Sequence, residues 1–148
     1  MHKLLFIMAL VAATLSSVCL AEEGCPRTVG ASELGGWYGS ESFAAHLPAG
    51  GVWPTTAPGN LIAVKLIWRS AGFRPGMEAN LDVTVKPLNG SQPTAVVLGN
   101  TNAKHESFGG WAMMTGLDFP NAGCWEITGR YRGEELRFVV ETVQDASR

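Results

Sequence analysis

The sequence predicts an all-β fold, an antiparallel sandwich of about seven or eight short strands closed by one disulfide. Several segments alternate apolar and polar residues, as residues 81–86 do in Leu-Asp-Val-Thr-Val-Lys, and this period indicates half-buried strands. The chain also contains 18 glycines and 8 prolines, many of them in turn-forming sequences between those segments. No stretch of ten residues keeps a helical period. Short strands separated by frequent turns favour two packed sheets.

The clearest strands are predicted at 61–68, 81–86 and 136–141. In the first, one face carries Ile62, Val64, Leu66 and Trp68. Weaker alternation predicts further strands at 42–47, 94–98, 111–117 and 124–131. Arg132-Gly133-Glu134 predicts a tight hairpin between the last two strands. On this pattern Trp68 and Trp125 fall at core positions.

The segment from Leu117 to Ile127 resembles the corner that opens the penultimate strand of immunoglobulin-like domains. In those domains an Asp, a small residue and an aromatic lead into the strand, and Trp125 occupies the place usually given to tyrosine. The resemblance implies an immunoglobulin-like sandwich. A small open barrel is the alternative architecture.

The N-terminus has the layout of a secretory signal peptide. A basic start with Lys3 precedes an apolar run from residue 4 to residue 20, which has 17 residues, whereas a spanning helix needs roughly 20. Small residues before Glu22 favour cleavage after Ala21. We therefore predict a signal peptide at 1–21 and one domain at 22–148, secreted or periplasmic and without a membrane span. The alternatives are a retained anchor, and a lipid anchor at Cys19, since the preceding residues loosely resemble a lipobox.

The cysteine count agrees with export. Three cysteines are present, and removal of the leader takes Cys19 and leaves Cys25 and Cys124. Two cysteines in an oxidising compartment are expected to pair, with two buried free thiols as the alternative. A disulfide closing a loop of about 100 residues stabilises the fold by up to roughly 4.7 kcal/mol in the chain-entropy account.

The charge balance argues against polyanionic partners. The whole chain carries 11 basic and 13 acidic residues, a net charge of −2, and contains no run of Lys or Arg. Nucleic-acid binding depends on neutralising phosphates with clustered cations. We therefore expect no nucleic-acid partner.

A broader resemblance runs over most of the mature chain. Cys25-Pro26 lies near its start, Trp68-Arg69 precedes a Gly-rich turn, and residues 123–129 read Gly-Cys-Trp-Glu-Ile-Thr-Gly. These features resemble an uncharacterised family of small exported bacterial β-sandwich proteins that begin with Cys-Pro and end with a similar strand. The resemblance implies an exported sandwich in a bacterium and the pairing of Cys25 with Cys124. It carries no catalytic residues over to this chain.

The sequence contains no catalytic motif. The mature chain has only His46 and His105, no nucleophile elbow, and no carboxylate pair placed across a cleft. We therefore predict a protein that is not an enzyme, with no catalytic residues and no cofactor. The alternative function is a small periplasmic copper carrier, because thioether and imidazole groups suit copper. Its candidate ligands are Met77, Met113, Met114, His46 and His105, although Met113 and Met114 should point to opposite faces of one strand, and His105 falls in a predicted polar loop.

Aromatic residues outside the predicted core give the candidate binding site. Trp37, Trp53 and Trp111 each lie next to glycine or proline, which predicts that they are presented on loops. Loop aromatics on a rigid scaffold can stack on sugars or anchor a protein. Arg69 and Arg74 lie beside aromatics in one turn, where guanidinium groups can hold a carboxylate or sulfate. The sequence thus predicts a module that binds an unidentified protein or glycan, against the alternative that these aromatics plug the ends of the sandwich.

Overall fold

The protein is all-β in its computed structural model, which describes residues 24–32, 35–55, 62–90 and 93–144. The predicted leader at 1–21, with Cys19, lies outside these residues. The strands are β1 Gly36–Gly39, β2 Phe43–Leu47, β3 Val52–Thr55, β4 Ile62–Ser70, β5 Asp82–Pro87, β6 Val96–His105, β7 Gly110–Phe119, β8 Gly123–Tyr131 and β9 Glu134–Gln144. Two short 3-10 turns occupy Ala49–Gly51 and Glu106–Phe108. None of the helical segments in these ranges is long and apolar enough to cross a membrane.

The strands form two sheets that pack face to face as a sandwich. One sheet has five strands in the order β1-β2-β4-β7-β6, and the other has four in the order β3-β9-β8-β5. Pairing is antiparallel except between β3 and β9. The all-β sandwich is confirmed, while the immunoglobulin-like classification stays a prediction.

The strand count exceeds the predicted seven or eight because two four-residue strands, β1 and β3, add to those predicted. Their sequences, Gly-Trp-Tyr-Gly and Val-Trp-Pro-Thr, contain the glycines and proline that predicted loops. The prediction that Trp37, Trp53 and Trp111 lie on loops is therefore wrong, since all three are strand residues and Trp111 is the second residue of β7. The polar loop predicted around His105 is also wrong, because Asn102 to His105 continue the edge strand β6. The hairpin between β8 and β9 is confirmed, and Arg132 and Gly133 at its tip have φ of 49° and 84°, as a type I′ turn requires.

Two fully buried tryptophans occupy the core, one from each sheet. Trp68 of β4 donates its indole N–H to Thr115 Oγ1 of the neighbouring β7 at 3.1 Å. Trp125 of β8 donates in the same way to Thr142 Oγ1 of β9 at 3.0 Å. Each hydroxyl satisfies a polar group that burial would otherwise leave without a partner. The predicted core positions of Trp68 and Trp125 are confirmed.

A disulfide between Cys25 and Cys124 ties the N-terminal segment to β8, with a Cα–Cα separation of 5.5 Å that suits the bond. The same segment pairs with β9, because the Thr28 N–H donates to the Val139 carbonyl at 2.8 Å. The Val139 N–H donates in turn to Thr28 Oγ1 at 3.0 Å. The predicted disulfide is confirmed, and it anchors a segment that otherwise makes few backbone contacts.

The two outer faces of the sandwich differ in chemistry. On the four-stranded sheet, Arg130 lies 2.7 Å from Glu135 and 3.8 Å from Asp82, and Arg137 also contacts Glu135. On the five-stranded sheet, cross-strand neighbours form one row across all five strands, namely Trp37, His46, Ile67, Met114 and Thr101. The row is almost uncharged, and the candidate site lies beside it.

Candidate functional site

A cleft opens at the end of the five-stranded sheet where β4 ends and β7 begins. The turn between β1 and β2, the end of β4 and the hairpin between β6 and β7 form its walls. We call it the Trp111 cleft, and its lining includes Glu41, Arg69, Ser70, Ala71, Phe108 and Trp111. Two predicted binding residues, Arg69 and Trp111, therefore lie in one cleft.

Trp111 is exposed because of its position in the register of the sheet. It shares a strand face with Met113, which pairs with Trp68 in the last β4–β7 pair. Trp111 therefore projects past the end of the core, and 40% of its surface remains accessible. Its cross-strand neighbour is Lys104, whose Nζ lies 5.7 Å from the ring centroid. The result is an exposed aromatic surface beside a cation.

Arg69 reaches across a strand to stack on Trp37. Its Cζ lies 4.5 Å from the centroid of the Trp37 ring, although the two residues are on β4 and β1 with β2 between them. The β2 residue opposite Arg69 is Ala44, which is 1% exposed. This small side chain leaves room for the arginine to lie over it, in keeping with the amphipathic character of the arginine stem. The ring of His46, the cross-strand neighbour of Trp37, also meets the Trp37 ring at 89° with the centroids 5.3 Å apart.

The two charged groups of the cleft have no partner within the part of the chain that the structure describes. Neither the Arg69 guanidinium nor the Glu41 carboxylate makes a hydrogen bond or an ion pair with any of those residues. Glu41 is exposed, whereas Arg69 is half-buried and is held against Trp37. The lining of the cleft thus includes an arginine held against Trp37, a carboxylate and two aromatic residues, Phe108 and Trp111.

The other two predicted binding residues lie apart from this arrangement. Trp53 is partly buried on β3, and its ring packs 5.9 Å from that of Phe119 at the core. The Arg74 guanidinium donates to the carbonyls of Ala71 and Phe73 in its own turn. Of the five predicted residues, Arg69 and Trp111 share the lining of one cleft, and Arg69 also contacts Trp37.

The candidate copper ligands do not converge. Met113 is fully buried in the core, while its neighbour Met114 lies on the outer face, as alternation predicts. His46 shares that outer face, but Ile67 of β4 separates it from Met114, a distance of about two strand spacings, or roughly 10 Å. His105 Nδ1 forms a hydrogen bond with Ser107 Oγ at 2.7 Å. Across the ranges 24–32, 35–55, 62–90 and 93–144 no group of three or more His, Cys, Asp or Glu residues could hold a metal ion.

Sequence reasoning missed Glu41, Phe108 and Lys104. They come from two turns and an edge strand that are far apart in the chain, and none lies in a motif. The Phe-Gly-Gly-Trp spacing from Phe108 to Trp111 is the one local signal, because Gly109 and Gly110 have φ of 75° and 118° and turn the chain back at this point.

No protein-family model, curated protein or solved structure matches the chain. The resemblance to small exported bacterial proteins therefore stays a prediction, and the geometry of the Trp111 cleft carries the functional argument.

Proposed function

We propose that this protein is an exported, non-enzymatic module of the cell envelope or the secreted space that binds a glycan in the Trp111 cleft. The observation that carries the proposal is a cleft at one end of the sandwich whose lining includes the exposed Trp111, Arg69 and the acidic residue Glu41. Small-molecule sites commonly combine aromatic walls with a few well-placed polar groups.

The chemistry of the cleft suits a sugar ring. A pyranose has an apolar C–H face that can lie on an indole ring, and its hydroxyl groups both donate and accept hydrogen bonds. Glu41 offers an acceptor, Arg69 a set of donors and Ser70 a hydroxyl that does both. A sugar stacked on Trp111 would therefore find partners for its edge groups among the other lining residues.

A glycan fits this surface better than a protein partner. The large apolar side chains exposed on the described residues are Val29, Leu88, Val96, Leu98 and Trp111. Val96 and Leu98 both lie on β6, while Val29 and Leu88 lie on other segments. Protein interfaces bury about 800 Å² on each side around a packed apolar centre, which is more than these few side chains supply. One or two sugar rings need far less contact area than a protein partner, and a single aromatic side chain with polar neighbours can supply it.

Export is supported by the disulfide and by the predicted leader. A structural disulfide between Cys25 and Cys124 forms and persists in oxidising compartments. A periplasmic or secreted protein meets envelope or extracellular polysaccharides directly, which agrees with a glycan-binding role.

The test is a glycan array probed with the purified mature protein and two variants. Trp111→Ala removes the exposed ring, while Leu98→Ala removes a side chain that is 62% exposed on the adjacent strand outside the cleft. We expect the wild type and Leu98→Ala to retain the same glycans and Trp111→Ala to lose them. Absence of any retained glycan, or retention by Trp111→Ala equal to the wild type, would refute the proposal, and a protein captured through Trp111 would replace it.

A further inference from the structure

We infer that the glycan held in the Trp111 cleft carries a carboxylate, as a uronic acid does, and that Arg69 binds this group. The inference rests on the proposed function and adds the chemical class of the ligand. Its basis is the state of Arg69, which belongs to the lining of the cleft and whose guanidinium is held on Trp37 without an anionic partner among the described residues.

Stacking leaves the hydrogen-bonding capacity of Arg69 intact. The guanidinium is planar and its N–H groups point outward in that plane, so contact of its face with Trp37 at 4.5 Å uses none of its donors. A planar carboxylate matches two of these N–H groups at once, and such bidentate pairs are among the strongest hydrogen bonds in proteins. Because the side chain is already held on the aromatic ring, little rotamer freedom remains to be lost when the carboxylate binds.

Other arginines of the sandwich show how unusual this state is. Arg130 contacts Asp82 and Glu135, Arg137 contacts Glu126 and Glu135, and Arg27 contacts Glu141. Arg74 and Arg132 have no ion pair in the described ranges either, but their guanidinium groups donate to backbone carbonyls. Arg69 is half-buried, and its guanidinium has neither kind of partner among the described residues, so a ligand carboxylate would supply the missing one.

The charges of the cleft lining balance, with Arg69 against Glu41. Outside the lining, Lys104 lies beside Trp111 and Glu106 belongs to the adjacent turn. What favours a carboxylate is therefore the guanidinium of Arg69, which has no partner among the described residues, and not a net positive charge of the cleft.

The experiment compares uronate-containing polysaccharides before and after chemical reduction of their carboxyl groups, which converts each uronic acid into the neutral sugar of the same stereochemistry. Affinity is measured for the wild type, Arg69→Gln and Arg137→Gln. The last variant makes the same charge change on the opposite sheet, where Arg137 is 56% exposed. We expect reduction of the polysaccharide to weaken its binding to the wild type by about tenfold or more. Arg69→Gln should weaken binding of the native polysaccharide by the same factor. Arg137→Gln should bind both forms like the wild type.

The outcomes separate this inference from the proposed function. If neutral and native forms bind equally and Arg69→Gln has no effect, the carboxylate inference is wrong while glycan binding stands. Retention of sulfated glycans alone would likewise overturn the carboxylate assignment. If no glycan of any kind is retained, the proposed function fails and this inference fails with it. Circular dichroism of Arg69→Gln checks that its fold is unchanged. Arg69→Lys, which keeps the charge but lacks the planar fork, should bind the native polysaccharide more weakly than the wild type and more strongly than Arg69→Gln.

Discussion

Replacement of Gly129 by alanine tests the packing of the core directly. Gly129 lies on β8, where a Cβ would overlap Cη2 and Cζ3 of Trp68 and approach its Cε3 to 3.2 Å. Trp68 has no room to move, because Phe43 stacks on it at 5.5 Å and Phe138 lies 5.7 Å away on another side. The added methyl group must therefore displace a fully buried indole or the backbone of a central strand.

The expected magnitude follows from two opposing effects. Overpacking a core typically lowers the free energy of unfolding by about 1–3 kcal/mol. Because the Trp68 ring is enclosed on several sides, we expect the loss for Gly129→Ala to lie toward the upper end of this range. Gly129 has an ordinary φ, so alanine also gains about 0.4–1 kcal/mol by restricting the unfolded chain. We expect a net loss of about 2 kcal/mol, or roughly 6–12 °C in Tm for a domain of this size.

The assay is equilibrium unfolding in urea with the disulfide intact, followed by tryptophan fluorescence. Gly90→Ala is the matched control, since a Cβ there meets nothing within 4 Å and its φ is ordinary. It should leave stability unchanged or raise it slightly. In a Trp68→Phe background the smaller ring should remove most of the cost of Gly129→Ala, a coupling of about 1.5 kcal/mol. Equal stability of Gly129→Ala and the wild type, or equal cost in both backgrounds, would refute the packing argument.

Two further predictions concern the bonds that hold the sandwich together. Thr115→Val should lower the free energy of unfolding in urea by about 1–3 kcal/mol, because it leaves the buried Trp68 N–H without an acceptor. Thr128→Val is the control, at a buried threonine with no side-chain hydrogen bond in the described ranges, and should lower it less. A larger loss for Thr128→Val than for Thr115→Val would contradict the role given to the Trp68–Thr115 hydrogen bond. Replacing Cys25 and Cys124 together by alanine should lower the free energy of unfolding by about 2–5 kcal/mol. It should also make the N-terminal segment susceptible to limited proteolysis. An unchanged cleavage pattern would show that the hydrogen bonds between Thr28 and Val139 hold this segment in place without the disulfide.

The fold could be predicted where the relevant signal is local. Alternation identified β4, β5 and β9 because each of these strands has one face in the core. The edge strand β6 is exposed along nearly its whole length, so its sequence does not alternate between apolar and polar residues beyond Leu98. For that reason its second half was predicted to be a loop. The strands β1 and β3 have four residues each, too few for a period to show against their glycines and proline.

The candidate site could be predicted only in part, for a related reason. Aromatics beside arginines indicated which residue types were involved, since Arg69 contacts Trp37 and shares a cleft with Trp111. The contact of Arg69 with Trp37 depends on the order β1-β2-β4 and on the small size of Ala44 between them. These are properties of strand register across the sheet, which residues far apart in sequence determine jointly. The same argument explains why Trp53, similar in its local sequence, instead packs on Phe119.

The most direct test of the central claim follows the tryptophan indole N–H signals by NMR while the protein is titrated with the glycan that the array retains best. Trp68 and Trp125 donate to buried threonines and serve as internal references. The account predicts that the Trp111 indole signal shifts progressively and saturates, while those of Trp68 and Trp125 stay in place. A titration in which Trp111 does not move, or in which Trp53 moves instead, would contradict it.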